Sequence, residues 1–343
     1  MSRNEPLIEV KNLKKYFPLT GGVFRKVIGY VHAVDDVSFD IYKGETLGLV
    51  GESGCGKTTT GRTIIRLIPP TSGQVLFEGE DITELKGRGL RKIRNRMGIV
   101  FQDPMASLDP RSTTKNAVGE PLLVNGIARG YRLRNMVLEL LEKVGLSEDH
   151  LNRFPHEFSG GQRQRICIAR ALALRPKFVV MDEPTSSTDV SVQAQTLNLM
   201  KDLQKEFDLT YLFISHNLSV VKHMSDRVAV MYLGQIVELV PGDIFKEALH
   251  PYSAALVSAV PVPDPKLRGR AQVLAGEVPS PISPPTGCRF HPRCRFAKEI
   301  CITDLPPLED VGDGHLVACH FAGELDLGYR DELAVTSTAS ARA

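Results

Sequence analysis

The chain has 343 residues, of which 42% are hydrophobic and 24% charged, with a net charge of +2. That is room for one large domain and a smaller one in an ordinary globular composition, and it excludes the strongly basic footprint of a protein built mainly to bind nucleic acid. No run reaches the roughly 18 apolar residues of a membrane span, and the first residues lack the apolar core of a secretion signal. A cytosolic setting is therefore expected, with any membrane work done through partner subunits and without disulfides.

Residues 7–10 and 34–39 alternate apolar and polar side chains, which predicts half-buried strands. The Gly-rich, basic stretch between them, residues 20–30, reads as an extended hairpin loop. Residues 46–50 predict a buried strand that enters a glycine loop. A helix over 58–68 follows, ended by Pro69 and Pro70. The basic run 86–96 reads as a solvated helix face.

Residues 97–101 predict a second buried strand ending at Gln102. From 103 to about 158 the pattern turns helical, with apolar residues near helical spacing over 136–144. A helix is expected over 162–174 and buried strands over 178–181 and 211–215. Strands alternating with helices predict an α/β fold with a mostly parallel sheet covered on both faces. Beyond this region Pro261, Pro263, Pro265, Pro279, Pro281, Pro284 and Pro285 mark a linker with little regular structure. The last eleven residues, 333–343, are small and polar and expected to be disordered.

Chemistry concentrates in a few strings. Gly51-Glu52-Ser53-Gly54-Cys55-Gly56-Lys57-Thr58 sits between a strand and a helix, as a phosphate-cradling loop must. Glycines permit the tight turn, N–H groups surround the phosphates, Lys57 reaches the β- and γ-phosphates, and Thr58 offers a hydroxyl to Mg²⁺. Cys55 reads as a space-filling residue. Asp182 and Glu183 end an apolar strand, where two adjacent acids make no sense as packing because burying charge without a cation is costly. Asp182 suits a magnesium ligand and Glu183 a general base. Ser159-Gly160-Gly161-Gln162 opens a helix, so its N–H groups form a second anion site that needs another chain's nucleotide.

In this order, with His216 closing the series, these motifs resemble those of the ABC ATPases over about residues 6–261. The resemblance implies an ABC-type P-loop ATPase with a mostly parallel core sheet, an antiparallel β-subdomain, a helical subdomain and a Cys-rich C-terminal extension. Its expected boundaries are 1–262 for the ATPase domain, with the helical subdomain about 103–160, then 263–332 for the extension and 333–343 for the tail. Glu183, Gln102 and His216 become the catalytic set, with Gln102 and Asp182 joining Thr58 around Mg²⁺. Gly51, Ser53, Gly54, Gly56, Lys57, Thr58 and Thr59 hold the phosphates. Phe17 resembles the aromatic that stacks on adenine, with Tyr16 the neighbouring alternative. Ser159, Gly160, Gly161, Gln162 and Asp189 reach the nucleotide across a head-to-tail pair of cassettes. Two departures are visible: Ser186-Ser187-Thr188-Asp189 replaces the usual Ser-Ala-Leu-Asp, and Asn217 replaces the acid after the switch histidine.

Finer strings resemble the ATP-binding subunits of oligopeptide and dipeptide importers. They are the segment from Val100 to Arg111, with Met105 where Tyr is usual, the segment from Asp189 to Gln195, and His250-Pro251-Tyr252. The implied partners are a homologous cassette in a heterodimer, two transmembrane permeases and a substrate-binding protein, at the cytoplasmic face of the membrane. Nickel or oligosaccharide import is the alternative cargo, and a non-transport ABC ATPase the alternative class. Cys288, Cys294, Cys301 and Cys319 leave five, six and seventeen residues between successive members. Four thiolates without a short knuckle suit a [4Fe–4S] cluster, which the family extension is known to bind, with zinc as the alternative. Cys167 reads as core.

Overall fold

The computed structural model describes residues 5–22, 24, 26–185, 190–260, 274 and 276–328. Asp189 and the three residues before it, Pro261, Pro263, Pro265 and the 333–343 tail lie outside the described residues.

Two long antiparallel strands, β1 (Pro6–Gly21) and β2 (Lys26–Tyr42), open the fold. Their pairing runs from Pro6 opposite Tyr42 to Gly21 opposite Lys26, interrupted by bulges. The loop expected over 20–30 is therefore mostly paired strand. Its backbone pairs without a buried face, since Val27 and Ile28 are exposed, so no apolar alternation betrays it. With β4 (Ser72–Phe77) and β5 (Glu80–Asp81) these strands form a four-stranded antiparallel sheet, β2-β1-β4-β5.

The larger sheet starts from β3 (Thr46–Val50), every residue of which is buried. The helix α1 (Lys57–Ile64) follows and stops earlier than expected, because Arg66 takes a left-handed conformation at φ 59°. The basic run forms α2 (Gly87–Arg94), largely exposed and anchored by Ile93, as expected. Next come β6 (Met97–Val100) and then α3 (Pro104–Ser107), α4 (Thr114–Val124), α5 (Gly130–Lys143) and α6 (Gly160–Leu172). The remaining central elements are β7 (Phe178–Asp182), α7 (Val190–Phe207), β8 (Thr210–Ile214), α8 (Leu218–Met224), β9 (Arg227–Tyr232) and β10 (Gln235–Val240). Strands β6, β7, β8, β3 and β9 run parallel, which the alternation of strands and helices predicts. The β9–β10 hairpin was not foreseen; it turns on Leu233 and Gly234, both at positive φ.

After α9 (Ile244–Glu247) and α10 (Pro251–Ser258) the chain returns through α11 (Glu299–Thr303), β11 (Glu309–Asp310) and β12 (Leu316–Val317). The last two strands extend the core sheet to the order β11-β12-β10-β9-β3-β8-β7-β6. Phe290 and Leu327 are buried in the same hydrophobic core as α6, β7 and β8. The C-terminal segment is thus built into the cassette rather than appended to it.

Candidate functional site

Strand β3 delivers the glycine loop to the start of α1. Gly51 and Gly56 stand at φ 152° and 112°, and a Cβ on either would lie 2.1 Å from a carbonyl oxygen, of Met231 and of Ala33. Neither position admits a side chain. The Lys57 ammonium donates to the carbonyls of Gly51 and Glu52 at 2.8 and 2.9 Å. Ser53, Gly54, Gly56, Lys57, Thr58 and Thr59 line an open cleft of about 450 Å³ together with Gln102, Glu183 and His216. Residues separated by more than a hundred and sixty positions in sequence therefore share one wall. Cys55 is buried, and desolvation pushes its thiol pKa up, as befits a packing residue.

Asp182 closes β7 and is fully buried. Its carboxylate accepts the Thr58 hydroxyl at 2.7 Å and an Arg62 N–H at 3.3 Å. Arg62 was missed by the sequence reading; its position one helical turn after Thr58, on the same face of α1, was the available signal. Glu183 takes φ 47°, a left-handed conformation that costs a non-glycine residue on the order of 1–3 kcal/mol. Its Oε2 accepts from Gln102 Nε2 at 3.2 Å and lies 3.0 Å from His216 Nδ1. The three expected catalytic side chains meet on one carboxylate oxygen. Asn217 caps α8, accepting from the N–H groups of Ser219 and Val220 at 3.0 and 3.4 Å. An acid there would serve the same capping role, which accounts for the departure.

Phe17 and Tyr16 separate clearly. The Tyr16 hydroxyl donates to Asp35 and its ring stacks on His32 at 4.2 Å, so that side chain is already engaged. Phe17 is 37% exposed and sits opposite Val31, which lines the cleft. Directly paired residues of an antiparallel ladder project to the same face, so Phe17 flanks the cleft's rim. Val31, Ala33 and Pro281 also line the cleft and carry no motif that sequence reasoning could have used.

The Ser-Gly-Gly-Gln string stands elsewhere. Ser159 caps α6 in a reciprocal pair, its hydroxyl accepting from the Gln162 N–H at 3.3 Å while Gln162 Oε1 accepts from the Ser159 N–H at 3.0 Å. Ser159 and Gly160 are exposed, and none of the four residues lines the chain's own cleft.

All four C-terminal cysteines face one cavity, with Phe290, Phe296 and Phe321 around them. Burial pushes the thiols of Cys288 and Cys319 up to about 11. Among the described residues no group of three His, Cys, Asp or Glu side chains converges to hold a metal ion. The expected metal centre at these cysteines, zinc or cluster, is thus not seen as a ready ion site: the thiols share a cavity without closing on a point. Cys167 is buried in the core as expected, 3.2 Å from the Ser107 hydroxyl.

A glycine loop, buried Asp182 and the Gln102–Glu183–His216 contact, with a second glycine-rich helix start outside that cleft, define a nucleotide-binding cassette ATPase. Residues 34–186 match the ABC transporter family, and residues 237–301 match the oligopeptide/dipeptide transporter C-terminal region. The chain is 52% identical to the oligopeptide transport ATP-binding protein AppF of Bacillus subtilis, covering 93% of this chain and 98% of that one. It is 51% identical to the probable peptide ABC transporter ATP-binding protein y4tS of Sinorhizobium fredii, over 92% and 90% of the two chains. The dimeric, post-hydrolysis ATP-binding cassette MJ0796, bound to ADP and Pi, superposes with a TM-score of 0.60 at 31% identity, covering 67% of this chain and 96% of that one. The chain belongs to the ATP-binding proteins of ABC transporters, on the oligopeptide and dipeptide branch. Among the described residues no helix is long and apolar enough to cross a membrane.

Proposed function

We propose that this chain hydrolyses ATP to drive import of peptides through partner permeases at the cytoplasmic face of a membrane. The observation that carries the hydrolysis is the meeting of Gln102, Glu183 and His216 at the P-loop cleft. Glu183 takes the proton of the attacking water, Gln102 orients that carboxylate and the water, and His216 contacts the γ-phosphate. Lys57 and the loop N–H groups of Ser53, Gly54, Gly56, Thr58 and Thr59 hold the phosphates. Thr58, Asp182 and Gln102 would hold Mg²⁺, which neutralises charge on the β- and γ-phosphates. The hydrogen bond from Thr58 to Asp182 at 2.7 Å supports that pairing.

The exposed start of α6 supports a paired arrangement, in which Ser159, Gly160, Gly161 and Gln162, with Asp189, complete the nucleotide site of a homologous cassette. The γ-phosphate then favours the closed pair, and its loss favours the open one. We read residues 1–262 as the ATPase domain, with its helical subdomain about 103–160, and 263–332 as the extension. Two permeases and a substrate-binding protein complete the importer.

Cys288, Cys294, Cys301 and Cys319 fit a cluster of several irons better than a single ion. Their thiols are soft, free of disulfides and gathered round one cavity, and their spacings of five, six and seventeen residues lack the short knuckle usual for zinc. Such a group would cross-link a segment short of regular structure. Brown colour with iron and sulfide in near-equal amounts after anaerobic purification supports this; colourless protein with stoichiometric zinc overturns it.

Peptide cargo rests on the match of the C-terminal region and on the names of the relatives. The test is uptake of labelled dipeptides and pentapeptides in cells lacking this subunit, with nickel and an oligosaccharide measured in parallel. Peptide uptake restored by the chain and lost with Lys57→Ala supports the reading. Restored nickel or sugar uptake without peptide uptake assigns the alternative cargo.

A further inference from the structure

Arg293 belongs to the short turn His291–Arg293, one residue before Cys294. Its guanidinium nevertheless closes on the glycine loop. Two N–H groups reach the two carboxylate oxygens of Glu52 at 2.8 and 3.1 Å, a forked pair with fixed orientation. The Arg293 side chain is only 6% exposed. Tyr232 lies against it, its hydroxyl 3.5 Å from the guanidinium.

Glu52 is held from two more directions. Its N–H donates to the Tyr252 hydroxyl at 2.9 Å, and its carbonyl accepts the Lys57 ammonium at 2.9 Å. Tyr252, Tyr232 and Phe290 pack with ring centroids 4.7 to 5.4 Å apart, tying the extension to the strand beneath the loop. Arg289 makes a parallel contact, donating to the Leu233 carbonyl and to Asp35. A bare carboxylate in a loop that surrounds phosphates would oppose the charge it is built to bind. The fork from Arg293 cancels that charge and fixes where it points.

We propose that Arg293 is a positioning residue for the P-loop: it neutralises the Glu52 carboxylate, so that no stranded charge displaces the peptide on which Lys57 rests. The C-terminal extension is then part of the support of the nucleotide site. This rests on reading the glycine loop as the ATP site, and the test separates the two.

The measurement is binding of the magnesium complex of the non-hydrolysable analogue AMP-PNP to the full-length chain by titration calorimetry. Arg293→Gln strands the Glu52 charge and should raise Kd about tenfold, the scale of a lost charged hydrogen-bond pair. Arg293→Gln with Glu52→Gln removes that charge and should return to within about threefold of wild type, although the fork is absent from both variants. Glu52→Gln alone should also stay within about threefold, and Arg293→Lys should fall between, since it keeps the charge and loses the fork. If Arg293→Gln does not fold, Arg293→Lys with and without Glu52→Gln makes the same comparison. Wild-type affinity in Arg293→Gln, or a double variant as weak as the single one, overturns the proposal. Absence of binding by the wild-type chain, or unchanged binding in Lys57→Ala, would instead refute the P-loop reading itself.

Discussion

Two helices of this chain, α1 and α6, begin with glycine-rich turns able to receive an anion, yet the fold treats them differently. The start of α1 is enclosed: Lys57 is buried, Asp182 anchors Thr58, and Gln102, Glu183 and His216 share the cleft. The start of α6 is exposed at Ser159 and Gly160, where Ser159 and Gln162 cap each other, and none of the four motif residues lines that cleft. On the proposed reading one end carries the reaction and the other recognises a partner's nucleotide. A helix terminus supplies N–H groups and a partial positive charge, but the reactive groups must come from the ends of other strands.

The largest effect that sharpens this contrast comes from Glu183→Gln. Loss of the general base should lower turnover by about 10²–10⁴-fold, because the amide keeps the shape without the basicity. Lys57 and Asp182 are untouched, so nucleotide binding should survive. Phosphate release and AMP-PNP binding measured on the same preparation check both halves. Near-normal turnover would remove Glu183 from the mechanism and blur the distinction between the two helix ends.

Support of the α1 end should also depend on pH. His250 caps α10, its Nδ1 accepting from the Tyr252 N–H at 3.1 Å, and Tyr252 in turn holds Glu52. Complete burial depresses the His250 pKa from 6.5 to about 4, against the opposing pull of Glu238 and a hydrogen bond to Ala318. The folded state therefore resists the proton. The stability contribution is full above pH 6.5 and is lost as the pH falls towards 4, a loss of about 3 kcal/mol for a shift of that size. His250→Asn retains a capping side chain, so its melting temperature should fall less steeply over that window than the wild type's. Parallel slopes would show that another group governs acid sensitivity.

The α6 end is testable through its partner. Ser159→Arg should leave this chain's own cleft intact and reduce hydrolysis at the partner's site by about 10²-fold, as removal of an anion-stabilising donor does. Mixed pairs of mutant and wild-type cassettes, with each site followed separately, provide the measurement. A loss confined to the mutant chain's own cleft would contradict the shared site.

The cleft was largely legible in sequence because its chemistry is written in short strings at the ends of apolar strands. Lys57, Thr58, Asp182, Glu183 and Gln102 could each be placed from the strand that precedes them or the helix that follows. What was not legible is pairing at long range. The outer half of the β1–β2 hairpin is held by backbone bonds and leaves exposed side chains, so composition alone read it as loop. Likewise Leu316 and Val317 gave no sign that they would pair with Leu239 and Glu238. A two-residue strand has no periodicity to detect, and its partner lies some eighty residues away. The Pro-rich spacing read as a linker with little regular structure, which the described residues 276–290 bear out, but it gave no sign that Pro281 accepts a hydrogen bond from the His32 N–H at 3.0 Å and lines the cleft.

The smallest predicted effect separates the two aromatics at the rim of the α1 cleft. Phe17→Ala should weaken nucleotide binding about tenfold, within the roughly 1–3 kcal/mol that stacking a base on an aromatic ring supplies. Because stacking uses the face of the base and reads no hydrogen-bonding edge, ATP and GTP should lose affinity equally. Tyr16→Phe should behave in the opposite way. It deletes the hydroxyl that donates to Asp35 while keeping the ring on His32, so it should cost about 1 kcal/mol of stability and leave both nucleotides' affinities unchanged. Denaturant melts beside fluorescence titrations with each nucleotide distinguish the two. Weaker binding in Tyr16→Phe with normal binding in Phe17→Ala would transfer the adenine contact to Tyr16 and with it the alignment of the cleft.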